Sequence, residues 1–280
     1  TEAAPGKLQY RRFPPIVSRI HFVIIISFFG LAITGMALKF SDTEWAYWIS
    51  YVLGGAESMG LIHRFCALLT FGYAGVHLWS LARLKRRSGL TWRGFIFNEN
   101  SLMFNRRDLG EAWGTVKWFL GRGPRPRYGR WTYWEKFDYF AVFWGIAIIG
   151  STGLLLWFPV FFTRLLPGQL LNVATIIHSD EALLAVGFIF TVHFFNTHFR
   201  PDKFPMDTVM FTGRMPLEEL KRDKPREYEE WVKAGKPADR LAPPLPYWYI
   251  RWTKIFGFTA LCIGLILICL IFYGLVLMIT

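Results

Sequence analysis

Five stretches of this chain are each apolar over about 20 residues, the length of α-helix that crosses the hydrocarbon core of a bilayer. They run roughly over 18–40, 61–82, 137–162, 173–198 and 255–279. No other feature restricts the fold as strongly. The 280 residues are 53% hydrophobic and include 27 Phe and 13 Trp, a composition unusual for a soluble domain. The expectation is an all-α integral membrane protein, with four helices forming a bundle and a fifth following at the C-terminal end.

The charge pattern orients those helices. The formal net charge is +12, but its placement argues against nucleic-acid binding. Lys7, Arg11, Arg12 and Arg19 lie in the first 19 residues, and further Lys and Arg fill 83–136 and 199–254. The segments 41–60 and 163–172 hold one basic residue, Arg164. This alternation follows the positive-inside rule, with the N-terminus cytoplasmic and the C-terminus outside. Anionic membrane lipid is the natural counterpart of the excess charge. The opening residues lack the apolar core of a cleavable signal, so the first span is expected to serve as its own insertion signal. Cys66, Cys262 and Cys269 form no pattern, and the absence of C-x-x-C-H excludes covalent c-type haem attachment.

The chain reads as one bundle with two long cytoplasmic connections, without a domain boundary, internal repeat or low-complexity segment. Residues 1–235 carry the four-helix bundle and its loops, and 236–280 a linker and the extra helix. In the first connection, RRDLGEAWGTVKWFLG places Leu109, Trp113, Val116 and Leu120 on one helical face, with Asp108 as a cap. A helix lying in the membrane interface and one packed on the underside of the bundle both fit. The second connection, around MPLEELKRDKPREYEEWVKAG, is a mixed-charge helix with a solvated face.

All six histidines fall inside or at the lip of an apolar segment: His21, His63, His77, His178, His193 and His198. An ionisable group at membrane depth is costly and points to function. The second and fourth spans run in the same direction, and each carries its first histidine a few residues in. His63 and His178 therefore share a depth near the outer face. His77 and His193 follow 14 and 15 residues later, about 21–23 Å further along the helix. At about 100° per residue, these steps return within about 40° and 60° of the starting azimuth. Paired histidines at matched depth suit axial ligation of stacked haems b, one near each membrane surface. For the inner haem, His21, His77, His193 and His198 are four candidates for two axial positions. The surplus pair would hold a third haem, serve a quinone, or be satisfied core histidines. Gly30, Gly35, Gly72, Gly75, Gly145, Gly150 and Gly153 offer close-approach surfaces for a cofactor or for neighbouring helices.

These residues resemble a known family. RIHFVIIISFFGLAITG, MGLIHRFCALLTFG, the GR…WEK run, IIGSTGLLLW, IIHSDEALLAVGFIFTVHFF and MFTGRMPLEELKRDKPREYEEW are similar to the membrane cytochrome b (gamma) subunit of respiratory formate dehydrogenases. Relatives of that subunit serve hydrogenases and thiosulfate reductases. The resemblance covers most of 10–235 and implies His63 and His178 on the outer haem and His21 and His193 on the inner one. It also implies a hetero-oligomeric complex in the bacterial inner membrane, fed by a periplasmic redox subunit and reducing menaquinone beside the inner haem. The chain departs from the pattern at His77 and His198, at Asp180 and Glu181, in one additional residue between the histidines of the fourth span, and in its fifth span. HFFNTHFRPDKFPMD is more similar to cytochromes b that work with periplasmic multihaem c-type cytochromes, so the partner is either such a cytochrome or an iron–sulfur protein.

Quinone chemistry takes up protons and needs polar groups joined to water. Tyr133, Glu135 and Asn196 are inner-side candidates for binding menaquinone or ubiquinone, Glu135 near the family's polar quinone-site position. Asp180 and Glu181, beside His178, are the outer alternative, with a salt bridge to Arg64 or Arg164 as the plainer role. The expected function is electron transfer between a periplasmic partner and the quinone pool. Two rivals are a structural anchor subunit without its own quinone site and a proton- or ion-translocating protein.

Overall fold

The computed structural model describes residues 8–279; Lys7 and the other residues before Leu8 lie outside them. Twelve α-helices and three short strands are present among the described residues. Five helices are long and apolar enough to span a membrane: α1 (Pro15–Lys39), α3 (Gly55–Ser88), α6 (Tyr133–Trp157), α8 (Gln169–Phe188, continuing as a π-helical run to Phe199) and α12 (Tyr247–Ile279). Short helices lie between them: α2 (Glu44–Val52), α4 (Trp92–Ile96), α5 (Arg106–Phe119), α7 (Pro159–Phe162), α9 (Val209–Thr212), α10 (Leu217–Asp223) and α11 (Pro225–Lys233). The apolar windows of α3 and α6 bury only 6% of their residues within the protein. Helices apolar all round and still uncovered belong in lipid.

Several helix ends differ from the apolar runs, each for a local reason. Pro15 opens α1, where its missing N–H is no loss. The helix α3 runs on to Ser88, past the end of the apolar run at 82, and Gly89 follows at φ +66, the left-handed position that ends helices. The third span was expected to reach 162 but stops at Trp157. There Phe158 leaves the helical region (φ −120, ψ 54) and Pro159 begins the separate turn α7.

The chain divides into two compact units, where the sequence suggested one bundle with loops. One unit comprises 20–76, 142–207 and 251–279 among the described residues. Its core joins Met36 of α1 and Phe40 just after it, Trp45 of α2, Met59 of α3, Phe190 and Phe194 of the π-helical run after α8, and Leu261, Leu267 and Ile271 of α12. The fifth helix is therefore part of this core. A Cβ at Gly264 would stand 2.6 Å from the Phe194 ring, and one at Gly274 would stand 2.7 Å from Phe40. These glycines let α12 approach, a packing role the glycine reading of the earlier spans had overlooked.

The other unit comprises 8–19, 77–141 and 208–250 among the described residues. Its centre is a three-stranded antiparallel sheet in the order β2 (Arg214–Pro216), β1 (Gln9–Arg11), β3 (Leu241–Ala242), with Tyr10 opposite both Met215 and Leu241. The supposed linker after 235 thus belongs to this sheet. The Gly213 carbonyl accepts from the Arg12 and Phe13 amides (2.9 and 3.1 Å). At φ +67, with a Cβ that would lie 2.7 Å from the Phe13 carbonyl, position 213 requires glycine.

A buried ionic network surrounds the sheet. Glu135 receives Arg12 (3.0 Å), Lys224 and both the amide and hydroxyl of Thr132, while Glu227 receives Arg130 (2.7 Å) and Tyr10 (3.3 Å). Lys136 pairs with Asp108 at 3.0 Å. The helix α5 is capped by Asn105, with Asp108 answering from the third helical position, so the cap lies three residues earlier than expected. Its polar face is buried, through Asp108, Glu111 and Thr115, whereas Leu109 and Trp113 are 76% and 62% exposed. An amphipathic helix turned this way suits a membrane surface and not packing by its apolar face.

Candidate functional site

His63 on α3 and His178 on α8 face each other with ring centres 6.2 Å apart and planes inclined at 62°. A first-row transition metal bonds imidazole at about 2.0–2.1 Å, so two imidazoles on one ion have ring centres roughly 6 Å apart. The observed spacing leaves room for one metal ion between the rings.

Hydrogen bonds fix which nitrogen of each ring is available. Thr34 donates its hydroxyl proton to the Gly30 carbonyl at 2.6 Å, so its oxygen is left to accept from His63 Nδ1 at 2.9 Å. His178 Nδ1 donates to the Ile149 carbonyl at 2.9 Å, with Thr152 Oγ1 3.3 Å away and itself donating to Ile148. Both rings are thereby held with the proton on Nδ1 and the lone pair on Nε2. Orientation of a ligating imidazole by a carbonyl or hydroxyl on its other nitrogen is a common feature of metal sites. Gly35 and Gly153 complete the backing, since a Cβ at either would lie 3.4 or 3.0 Å from the neighbouring imidazole.

The sequence reading missed Thr34, Ile149 and Thr152. A signal was present: the histidine of each helix pair is backed by a Thr-Gly dipeptide, Thr34-Gly35 in α1 and Thr152-Gly153 in α6. In this respect the sequence does repeat, α1 and α3 corresponding to α6 and α8, which the reading of no internal repeat had missed. Among the other glycines, Gly30 meets the Cys66 sulfur and Gly150 meets Phe71. Gly72 and Gly75 face open space, and Gly145 meets only Ile149 of its own helix.

His21 lies on α1 and is half-buried. His193 closes the first of two π-helical turns, Ile189–His193 and Phe195–Phe199. π-Turns inside α-helices are frequent at functional sites. A π-turn advances about 80–85° per residue in place of 100°. Four to five such steps take back about 60–100°, at least the roughly 60° by which fifteen α-helical steps overshoot. The additional residue is therefore absorbed, and His193 returns to the azimuth of His178.

The remaining histidines are engaged separately. His77 Nε2 lies 2.9 Å from the Tyr139 hydroxyl. His198 is buried among Phe194, Phe199 and Phe258, its Nδ1 donating to the Pro205 carbonyl at 3.3 Å, as a satisfied core histidine does. Among the described residues, no three His, Cys, Asp or Glu side chains converge as a metal-binding group.

The acidic candidates are tied into ion pairs or stand apart. Glu135 serves the ionic network described above. Asp180 pairs with Lys39 at 2.8 Å, not with Arg64 or Arg164, and Arg64 lies over the Trp157 ring at 5.9 Å. Glu181 and Asn196 are half-buried, and half-buried Tyr133 stacks edge-on against Trp134 with ring centres 4.9 Å apart. Outside the spans, burial lowers the Lys224 ammonium to about 8 against the opposing pull of Glu135, and burial raises the Glu111 carboxyl despite Arg226. No protein-family model matches the chain, and no match is found among curated proteins.

Proposed function

We propose that the protein is a dihaem b-type membrane subunit of a quinone-linked respiratory complex. In this reading His63 and His178 hold the outer haem and His21 and His193 the inner one. The observation that carries it is the 6.2 Å spacing of the His63 and His178 rings, with Nδ1 of each occupied by a hydrogen bond. Two imidazoles alone do not complete a metal site, but they fit an ion whose equatorial ligands arrive with a porphyrin. Haem supplies one-electron redox chemistry when bound.

The chain's own contribution is ligation and orientation. Thr34 and Ile149 hold the imidazoles in the ligating tautomer, and the π-turn aims His193. The charge asymmetry of the connections supports an N-terminus on the cytoplasmic side of a bacterial inner membrane, and a periplasmic redox protein as the electron partner. The resemblance to formate dehydrogenase gamma subunits supports a quinone as the other partner.

The pyridine haemochrome of the purified full-length protein tests the reading. The expected result is two haems b per chain, falling by one in His63→Ala and in His178→Ala. An unchanged b-type spectrum in these variants overturns the outer site. A colourless wild-type protein overturns the whole reading and favours a proton or ion translocator.

A further inference from the structure

The repeat extends beyond the Thr-Gly dipeptides. His21 lies fourteen residues before Gly35, and Tyr139 lies fourteen residues before Gly153. His77 lies fourteen residues after His63, and His193 lies fifteen after His178, with the π-turn absorbing the extra residue. The repeat therefore maps His21 onto Tyr139 and His193 onto His77. Of the two pairs, Tyr139 and His77 share a 2.9 Å hydrogen bond. One half of the repeat presents two imidazoles, and the other presents an imidazole bonded to a phenol. We propose that the His77–Tyr139 pair is a quinone-binding and proton-exchanging site, built from the counterpart of a haem-ligand pair.

The chemistry follows from the two groups. His77 Nε2 is committed to Tyr139 Oη, an arrangement suited to passing a proton between them and not to binding a metal. Both side chains are half-buried on membrane-spanning helices, where a lipid-soluble ring has access. Quinone reduction adds two electrons and two protons and forms two O–H bonds. One carbonyl oxygen receives its proton from Tyr139 Oη, and Tyr139 recovers a proton from His77 Nε2. His77 is replenished from water, and water protonates the oxygen at the far end of the ring. The two electrons would be supplied by the reduced redox partner through haems that the histidines would hold, so the assignment rests on the dihaem reading. Quinol oxidation reverses each transfer.

Tyr139→Phe and His77→Gln in the full-length protein test the site. Haem stoichiometry is measured first, then the oxidation of dithionite-reduced haem by short-tailed benzoquinone and naphthoquinone, followed by stopped flow. Equilibrium binding of a fluorescent quinone analogue gives an independent readout. The expected result is two haems retained, with quinone-driven oxidation slowed roughly 100-fold or more, as for loss of a general acid. In Tyr139→Phe the solvent deuterium isotope effect and the pH dependence of the remaining rate should also change, and analogue binding should weaken in both variants. Unchanged rates and binding beside an active wild type overturn the site and leave the dihaem reading intact. Loss of a haem in either variant makes the pair ligands and overturns the proposal. A wild type without haem overturns both.

Discussion

The residues behind His63 and His178 distinguish the two imidazoles. His63 relies on the Thr34 hydroxyl at 2.9 Å, whereas His178 is held chiefly by the Ile149 carbonyl, with Thr152 further away at 3.3 Å. A backbone carbonyl survives side-chain replacement and a hydroxyl does not. Thr34→Val should therefore weaken haem retention at the outer site by roughly 10–100-fold, the usual cost of losing a partner behind a ligand. It should also shift that haem's midpoint potential, since the imidazole loses its acceptor. Thr152→Val should change both much less. Haem titration with redox potentiometry checks the contrast, and equal effects in the two variants would show that neither hydroxyl orients its ring. Buried Ser27, also on α1, bonds its own helix backbone, whereas Thr34 combines such a bond with a contact to a candidate ligand.

Elements were legible in the sequence to the extent that a single property repeats along them. Five apolar runs of about 20 residues gave five spanning helices, because lipid demands the same solvent match at every residue. The ends were not legible, since they depend on single residues such as Pro159 and Gly89. The closeness of His63 to His178 followed from counting residues. The azimuth of His193 did not, because counting at 100° per residue presumes an unbroken α-helix. The three strands gave no periodic signal at two or three residues each, and β1 pairs with segments more than 200 residues away. The π-turn itself makes a prediction. Deleting Ile189 should relax it to α-helix with a fourteen-residue interval, matching the His63–His77 spacing, and both haems should be kept. Inserting one more residue there leaves no π-turn to relax and should rotate His193 away, removing the inner haem. Haemochrome stoichiometry of the two variants checks this, and loss of haem on deletion would sink the azimuth argument.

At the scale of the whole molecule, Glu135 decides whether the extramembrane charges serve chemistry or architecture. It was a reasonable quinone-site candidate, yet both its oxygens are engaged by Arg12, Lys224 and Thr132. Removing one partner of a buried ion pair costs about 3–5 kcal/mol, because the other charge is left uncompensated. Glu135→Gln should therefore lower stability by about that amount, while haem oxidation by quinone, measured well below the unfolding temperature, stays at the wild-type rate. Lys224 adds a pH signature. With its folded pKa at about 8, below the ordinary lysine value of 10.5, the unfolded chain binds a proton through this window that the folded chain does not. The Lys224 contribution therefore rises with pH from about 8 to 10.5 and is flat below 8. In Glu135→Gln the ammonium loses the carboxylate that opposes its desolvation, so its folded pKa falls further and the rising limb begins at lower pH. Thermal unfolding of the purified protein across that range reads both effects. A variant of wild-type stability with impaired quinone turnover would return Glu135 to the reaction, whereas the reverse outcome makes it the ionic tie between the N-terminal strand, α6 and α11.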